Sequence, residues 1–230
     1  MQLFHFPLCT LHFPLIKIIM NNGHQIYTNE MMMKRVVRFK DLKKQGIPAM
    51  FIDSVLPGHM RMNYAVLGDT ASENPEFKPA IEEPHKFQIG MGYAPTGCGP
   101  AWHTHDYVEM FLVLEGKWRY QWGYNDDPSK PDGEVILGKW DMISLPPGIY
   151  RSFEVVSKRK GWWFAVLDPH PVFASKDPIW SPYIERLAEN VGFKADATGK
   201  MIKPKEYTQI RRELETQLVA LEPDTAAIAL

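Results

Sequence analysis

The strongest chemical signal in this chain lies in residues 97–116, GCGPAWHTHDYVEMFLVLEG, where two histidines and a glutamate are closely spaced. We predict that one β-strand runs from His103 to Leu114. Side chains alternate between the two faces of a strand, so residues 103, 105 and 109 would share one face. Two imidazoles and one carboxylate are ligands that divalent transition metals take in proteins. The sequence therefore predicts a metal site formed by His103, His105 and Glu109.

Length and composition describe an ordinary globular protein. The chain has 230 residues, 45% of them hydrophobic, and a formal net charge of −1. This near-neutral charge argues against nucleic-acid binding, which usually needs a strongly basic face. Its two cysteines, Cys9 and Cys98, form no disulfide framework, which favours the reducing cytoplasm. The apolar start of the chain is broken by prolines and is too short to span a bilayer, so we expect no membrane partner.

Short strands separated by turn signals dominate the middle of the chain, a pattern typical of a β-sandwich or barrel. Besides the strand at residues 103–114, we predict strands at residues 50–53, 61–67, 87–93, 117–123, 134–137, 141–145, 150–156 and 162–167. The fold class is therefore predicted to be mainly β and antiparallel.

Four regions follow from this pattern. Residues 1–30 are interpreted as a non-native or disordered extension preceding a start at Met31, Met32 or Met33. Residues 31–86 would supply strands and loops that pack on a barrel core at residues 87–170, and residues 171–230 would form a helical extension. That extension contains a helix capped by Ser181 and a final helix at residues 204–221 with a single apolar stripe. Because such a stripe docks on its own domain or on a second subunit, we expect a homodimer.

The spacing around the donors extends to two glycines, Gly97 and Gly116, and reads G-x5-H-x-H-x3-E-x6-G. This pattern resembles the first motif of the cupin superfamily at every defined position. The resemblance implies a small antiparallel β-barrel of the jelly-roll type with the metal inside it. Tyr107 would then line the barrel beside the metal.

A second cupin motif, roughly G-D-x4-P-x-G-x2-H-x3-N, resembles residues 140–155 only in part. Asp141, Pro146 and Gly148 are in register, whereas Trp140 replaces the first glycine, Arg151 replaces the histidine ligand and Val155 replaces the asparagine. A guanidinium has no lone pair to give, so Arg151 cannot be a fourth metal ligand. By resemblance, Arg151 faces the interior.

Two interpretations of Arg151 stay open. In the first, the three donors leave open positions on the metal and Arg151 anchors an anionic substrate. In the second, the site is degenerate and Arg151 pairs with Glu109 or another acid. Charge favours the first, because a divalent metal with one carboxylate keeps about one positive charge and Arg151 adds another.

The leading functional hypothesis is a mononuclear Fe(II) oxygenase acting on a small anionic molecule, with Arg151 as substrate anchor and Tyr107 as a further catalytic candidate. One alternative is an isomerase, lyase or hydrolase in which Zn²⁺, Mn²⁺ or Ni²⁺ serves only as a Lewis acid. Another is a non-catalytic cupin that binds a small ligand. His59, Tyr150 and His170 are possible auxiliary residues.

Overall fold

The structure is a computed structural model that describes residues 20–21, 24–68, 70, 72, 74–168, 178–196 and 201–220. Two units are distinguished, Met1–Val36 and Val37–Leu230. In the first, β1 (Met20–Asn21) pairs with β2 (His24–Gln25), and α1 (Asn29–Met33) begins after Thr28, whose side chain accepts a hydrogen bond from the Met31 amide. Most of the predicted extension, including Cys9, lies outside the described residues.

Two five-stranded antiparallel sheets form the second unit. The sheet that carries Glu109, here called the Glu109 sheet, has five strands in the order β3 (Met62–Leu67), β4 (Gln88–Ala94), β11 (Gly161–Leu167), β6 (Glu109–Glu115) and β9 (Met142–Leu145). The sheet that carries His103, here called the His103 sheet, has the order β12 (Ile179–Trp180), β5 (His103–Thr104), β10 (Tyr150–Val155), β7 (Trp118–Gly123) and β8 (Gly133–Leu137).

The predicted mainly antiparallel β fold is confirmed, and β3, β4 and β7 to β11 begin and end within one residue of their predicted bounds. Two strand predictions are wrong. Residues 50–53 were expected to be extended, but a 3-10 helix covers Ile52–Ser54. The strand predicted from His103 to Leu114 is two strands, β5 and β6, which belong to different sheets.

Aromatic side chains from both sheets fill the interior away from the donor residues. Phe111 on β6 packs against Phe153 on β10 with ring centroids 4.5 Å apart, and Phe153 stacks on Tyr120 of β7 at 4.9 Å. Trp118 contacts Phe153 from the same sheet. Burying such rings supplies much of the apolar free energy of folding and fixes the two sheets against each other.

The outer face of the Glu109 sheet is also apolar. Here α4 (Tyr207–Ala220) lays Leu214 and Leu218 against a buried cluster that includes Tyr64, Tyr93 and Trp162. The Tyr93 hydroxyl donates a hydrogen bond to the Leu218 carbonyl oxygen. The apolar stripe of the final helix thus docks on its own sheet, one of the two predicted outcomes. A homodimer stays a prediction.

Two further helices and a short hairpin complete the unit. Helix α2 (Phe39–Leu42) buries Leu42 in the same cluster. Helix α3 (Pro182–Glu189) begins as predicted, because the Ser181 side chain accepts a hydrogen bond from the Ile184 amide at 3.3 Å. The hairpin consists of β13 (Lys194–Ala195) and β14 (Met201–Ile202). Among the helices of the described residues, none combines the length and apolarity needed to cross a bilayer.

Candidate metal centre

The three predicted donors come together from opposite sheets. His103 lies on β5, Glu109 begins β6, and His105 lies in the short connection that carries the chain from one sheet to the other. The expectation that one regular strand aims all three side chains the same way is therefore wrong. They converge because the chain passes from one sheet to the other between residues 104 and 109.

All three donors are buried, with 4 to 6% of each residue exposed. One nitrogen from each histidine and one carboxylate oxygen of Glu109 lie within 4.8 Å of one another. Within the described residues, no other cluster of three or more His, Cys, Asp or Glu side chains is close enough to share a metal ion. Its role as a metal site stays a prediction, which the following contacts support.

Hydrogen bonding fixes which nitrogen of His103 is available. Its Nδ1 lies 2.6 Å from the Ala101 carbonyl oxygen, which can only accept, so Nδ1 carries the proton and donates it. The lone pair is then on Nε2. Burial lowers the pKa of the His103 imidazole well below its usual range, and His105 and Arg151 act in the same direction. A neutral imidazole held in this tautomer is the form that binds metals.

Tyr107 holds the second histidine. Its hydroxyl lies 2.9 Å from His105 Nδ1, and the two rings stack with centroids 4.7 Å apart. If Nδ1 donates to the hydroxyl, the His105 Nε2 lone pair is directed to the centre, where it lies 3.6 Å from Glu109 Oε2. The structure thus places the Tyr107 hydroxyl beside His105 Nδ1, and a catalytic role for Tyr107 stays a prediction.

Glu109 supplies the test of whether a metal fits. Its Oε2 is buried and has no hydrogen-bond partner among the described residues. A buried carboxylate oxygen without a partner is costly, and a divalent cation bound by the same oxygen and two imidazole nitrogens would remove that cost. The donor chemistry of this site therefore fits a divalent transition metal.

Arg151 is fully buried on β10, directly opposite His103 in the pairing with β5. The guanidinium donates to the Pro146 carbonyl oxygen at 2.9 Å and contacts the Thr104 hydroxyl at 3.5 Å. Its role as substrate anchor stays a prediction.

A small cavity of about 50 Å³ adjoins the three donors. Phe111 and Phe153 form part of its lining. Two polar side chains, Arg61 just before β3 and Asn63 within it, also line the cavity, which the sequence did not predict. Arg61 Nε donates to Asp53 Oδ2 at 2.7 Å, and both side chains of this ion pair are buried. Burial raises the pKa of the Asp53 carboxyl, and the Arg61 guanidinium opposes that rise.

Sequence reasoning missed this ion pair. The available signal was the alternation along β3, where Arg61, Asn63 and Ala65 share one face and Met62, Tyr64 and Val66 share the other. An apolar-inside rule assigns the second set to the barrel interior. The structure does the reverse, because the apolar face is the one that α4 covers.

The remaining candidates lie away from the donors or outside the described residues. His59 Nδ1 is bonded to the Gly99 carbonyl oxygen at 2.9 Å, and Tyr150 stacks on Trp102. Cys98 is buried in the aromatic cluster, where burial raises the pKa of its thiol, as expected of an inert residue. His170 lies outside the described residues.

Neither a protein-family model nor a curated protein matches this chain. Solved structures with a similar fold include the cupin domain of Cnp3 from Schizosaccharomyces pombe, with 14% identity, a TM-score of 0.36 and coverage of 49% of this chain and 66% of that one. A cupin-like protein from Thermotoga maritima has 20% identity and a TM-score of 0.34, and the match covers 46% of this chain and 66% of that one. A protein with a double-stranded β-helix domain from Klebsiella pneumoniae has 15% identity and a TM-score of 0.37, and the match covers 50% of this chain and 82% of that one.

Likeness at this level says nothing of activity. The fold assignment rests on the two facing antiparallel sheets and on the donors they bring together, which agree with the resemblance found in residues 97–116. The chain has a cupin fold.

Proposed function

We propose that this protein is a metal-dependent cupin enzyme, a mononuclear Fe(II) oxygenase acting on a small anionic organic molecule. The observation that carries the proposal is the buried donor set of two imidazole nitrogens and one carboxylate oxygen beside a cavity. Two histidines and one carboxylate with open positions are the ligands of non-haem Fe(II) oxygenases. Bound there, Fe(II) would supply redox chemistry with dioxygen, whereas Zn²⁺, Mn²⁺ or Ni²⁺ would supply Lewis-acid polarisation alone.

The protein's own residues have separable tasks in this proposal. His103, His105 and Glu109 hold the metal, and the Ala101 carbonyl and Tyr107 hydroxyl orient the two imidazoles. The aromatic wall at Phe111 and Phe153 excludes water from the far side of the cavity. Arg151 adds a positive charge on the strand next to His103, which favours an anionic substrate.

Metal analysis with oxygen uptake tests the proposal. We expect about one Fe(II) per chain after anaerobic reconstitution, and Fe(II)-dependent oxygen consumption with one or more of pyruvate, malonate and acetylacetone. His103→Ala should abolish both, because one of three ligands is lost. The matched control is His85→Ala, which removes a histidine bonded to the Glu83 carbonyl oxygen, outside the donor set and the cavity, and should keep both. Stoichiometric Zn²⁺ binding with no oxygen uptake for any metal would instead favour Lewis-acid chemistry, and no metal binding would contradict both.

Tyr107→Phe tests the orientation of His105. Removing the hydroxyl leaves the stacked ring in place but deletes the hydrogen bond at Nδ1, so metal affinity should fall about 10- to 100-fold. Competition with a chromophoric chelator measures this, and Tyr124→Phe, at an exposed tyrosine, is the control. An unchanged affinity in Tyr107→Phe would show that the hydroxyl does not orient the ligand.

A further inference from the structure

We propose that Arg61 and Asn63 form the anion-binding wall of the metal cavity and hold the carboxylate of a short organic acid against β3. This inference deepens the proposed function by naming the residues that select its substrate class. The sequence suggested Arg151 as the residue that anchors an anionic substrate. Here that role is given to Arg61 and Asn63, which lie outside both signature motifs.

The two side chains reach the cavity because they share a strand face. Arg61 immediately precedes β3 and Asn63 lies two residues on, so both point to the interior, and both line the cavity with the metal donors. The neighbouring strand leaves room there. A Cβ placed on Gly90 would meet only ordinary contacts, 3.7 Å from the Tyr64 carbonyl oxygen and 4.0 Å from Trp163.

Asp53 holds the Arg61 guanidinium by one nitrogen only. Nε donates to Asp53 Oδ2, and within the described part of the chain the terminal amino groups of Arg61 make no further hydrogen bond. Since a guanidinium presents its donors in a rigid planar fork, fixing Nε also fixes the direction of the two terminal groups. That fork matches the two oxygens of a carboxylate.

Asn63 contributes a second unsatisfied donor. It is 4% exposed, and its Nδ2 has no hydrogen-bond partner among the described residues. A buried amide donor left without an acceptor is costly, so an acceptor atom in the cavity would be favoured. Arg61 and Asn63 together therefore present several donors to the cavity.

Arg151 has a different environment. It donates to the carbonyl oxygen of Pro146, in the connection between β9 and β10, and it is not among the described residues that line the cavity. Arg151 lies beside His103 as its partner on the neighbouring strand, whereas Arg61 lines the cavity itself. The size of that space, about 50 Å³, suits a short acid.

Calorimetric titration of the protein with pyruvate tests the inference, in the metal-free and Zn²⁺-loaded forms. Removing Arg61 alone would leave Asp53 buried without its partner, so the main variant combines Arg61→Met with Asp53→Asn. We expect this pair of changes to raise the Kd for pyruvate about 10- to 100-fold, the loss typical of charge-assisted hydrogen bonds, with Zn²⁺ stoichiometry unchanged. Asn63→Leu, of similar volume, should raise the Kd by a smaller factor.

Matched controls separate this inference from its rivals. Arg151→Leu should raise the Kd less than the Arg61/Asp53 variant does; the reverse order would overturn the inference and return the anchor to Arg151. Pyruvamide, which lacks the charge, should bind much more weakly than pyruvate, and equal binding would overturn it. Should the double variant not fold, Arg61→Lys keeps a charge but loses the fork, and unaltered pyruvate affinity in Arg61→Lys and Asn63→Leu would overturn it.

The metal-free titration keeps the two proposals distinguishable. If the wild-type protein takes up no metal, the proposed function fails, yet pyruvate binding that depends on Arg61 and Asn63 would still support the anion-binding wall. If metal binds and pyruvate binds neither form, the wall is overturned and the metal site stands.

Discussion

The two signature segments, residues 97–116 and 140–155, both contain left-handed turn residues but differ in how far their side chains match the cupin pattern. In the first, Gly97 and Gly116 have φ values of 76° and 81°. In the second, Gly148 has a φ of 78°, and Trp140 adopts 75° at the position where the cupin pattern has glycine. A left-handed conformation costs an L-residue about 1–2 kcal/mol, so Trp140 adopts this turn against the preference of its residue type.

The side chains show the opposite behaviour. The first segment keeps its full donor set, whereas the second carries Arg151 and Val155 in place of the cupin histidine and asparagine. Backbone pairing nevertheless joins the two, since the Gly97 amide donates to the Val155 carbonyl oxygen at 2.8 Å and the Val155 amide donates to the Cys98 carbonyl oxygen at 3.1 Å. Main-chain pairing and apolar packing around Val155 hold the second segment against the first.

The largest expected effect comes from placing asparagine at residue 155, where the cupin pattern has asparagine and this chain has valine. Val155 is buried beside Trp118, so Val155→Asn would lose apolar burial and bury an amide, lowering the free energy of unfolding by about 3 kcal/mol. Urea denaturation measures it. Val156→Asn, at the exposed neighbour, should change it by less than about 0.5 kcal/mol. Equal effects of the two substitutions would contradict the packing argument.

Arg151→His tests whether the second segment can regain its ligand. The substitution removes a positive charge and places an imidazole opposite His103, so Zn²⁺ affinity should rise at least about tenfold, or 1.4 kcal/mol. Chelator competition measures the affinity. Arg151→Leu, which removes the charge without adding a donor, should give a smaller gain, and no difference between the two variants would show that residue 151 cannot reach the metal.

The first segment should also make the metal-free protein sensitive to acid. Because the pKa of folded His103 lies well below that of the unfolded chain, only the unfolded state takes up this proton as the pH falls below about 6.5. The free energy of unfolding should therefore decrease from pH 6.5 to 5.5, by up to about 1.4 kcal/mol per pH unit for one proton. His59, whose pKa burial also lowers, contributes with the same sign, and the raised pKa of Asp53 opposes both.

Denaturation of the metal-free protein across this range measures the slope. His103→Asn should flatten it and His59→Asn should remove a separate share, whereas Arg151, which stays protonated throughout, adds none. Equal slopes for the wild-type protein and His103→Asn between pH 7 and 5.5 would contradict the neutral, buried state of His103.

The smallest expected effect is at Trp140. Trp140→Gly should raise the free energy of unfolding by up to about 1 kcal/mol, because relief of the left-handed strain exceeds the extra entropy that glycine gives the unfolded chain. Trp140→Ala loses the same exposed ring but keeps a Cβ, so it should show no such gain. Stabilisation by both variants alike would assign the effect to the ring.

Local pattern was enough for much of this fold. Strands β7 to β11 were predicted to within one residue, because alternation and turn residues are properties of neighbouring positions. The donors were found by residue type and spacing, which need no knowledge of how the chain bends. The break between β5 and β6 is set by different partners, since β5 pairs with β10 and β12 while β6 pairs with β9 and β11.

The polar wall of the cavity depends even more on distant contacts. The alternation of β3 reveals two faces but not which one turns inward, and the answer is supplied by α4, some 150 residues later in the chain. Arg61 becomes an interior residue because Tyr64 and its neighbours are covered from outside. Its ion pair with Asp53 then follows from the 3-10 helix at Ile52–Ser54, where an extended strand was predicted.

The docking of α4 has a consequence for the order of events during synthesis. Both sheets leave the ribosome before this helix does, so the aromatic face at Tyr64, Tyr93 and Trp162 is complete while its cover is still being made. During that interval the nascent barrel exposes a hydrophobic surface of the kind that chaperones recognise. Slowing translation ahead of residue 207 would lengthen the exposure and increase aggregation of the newly made chain.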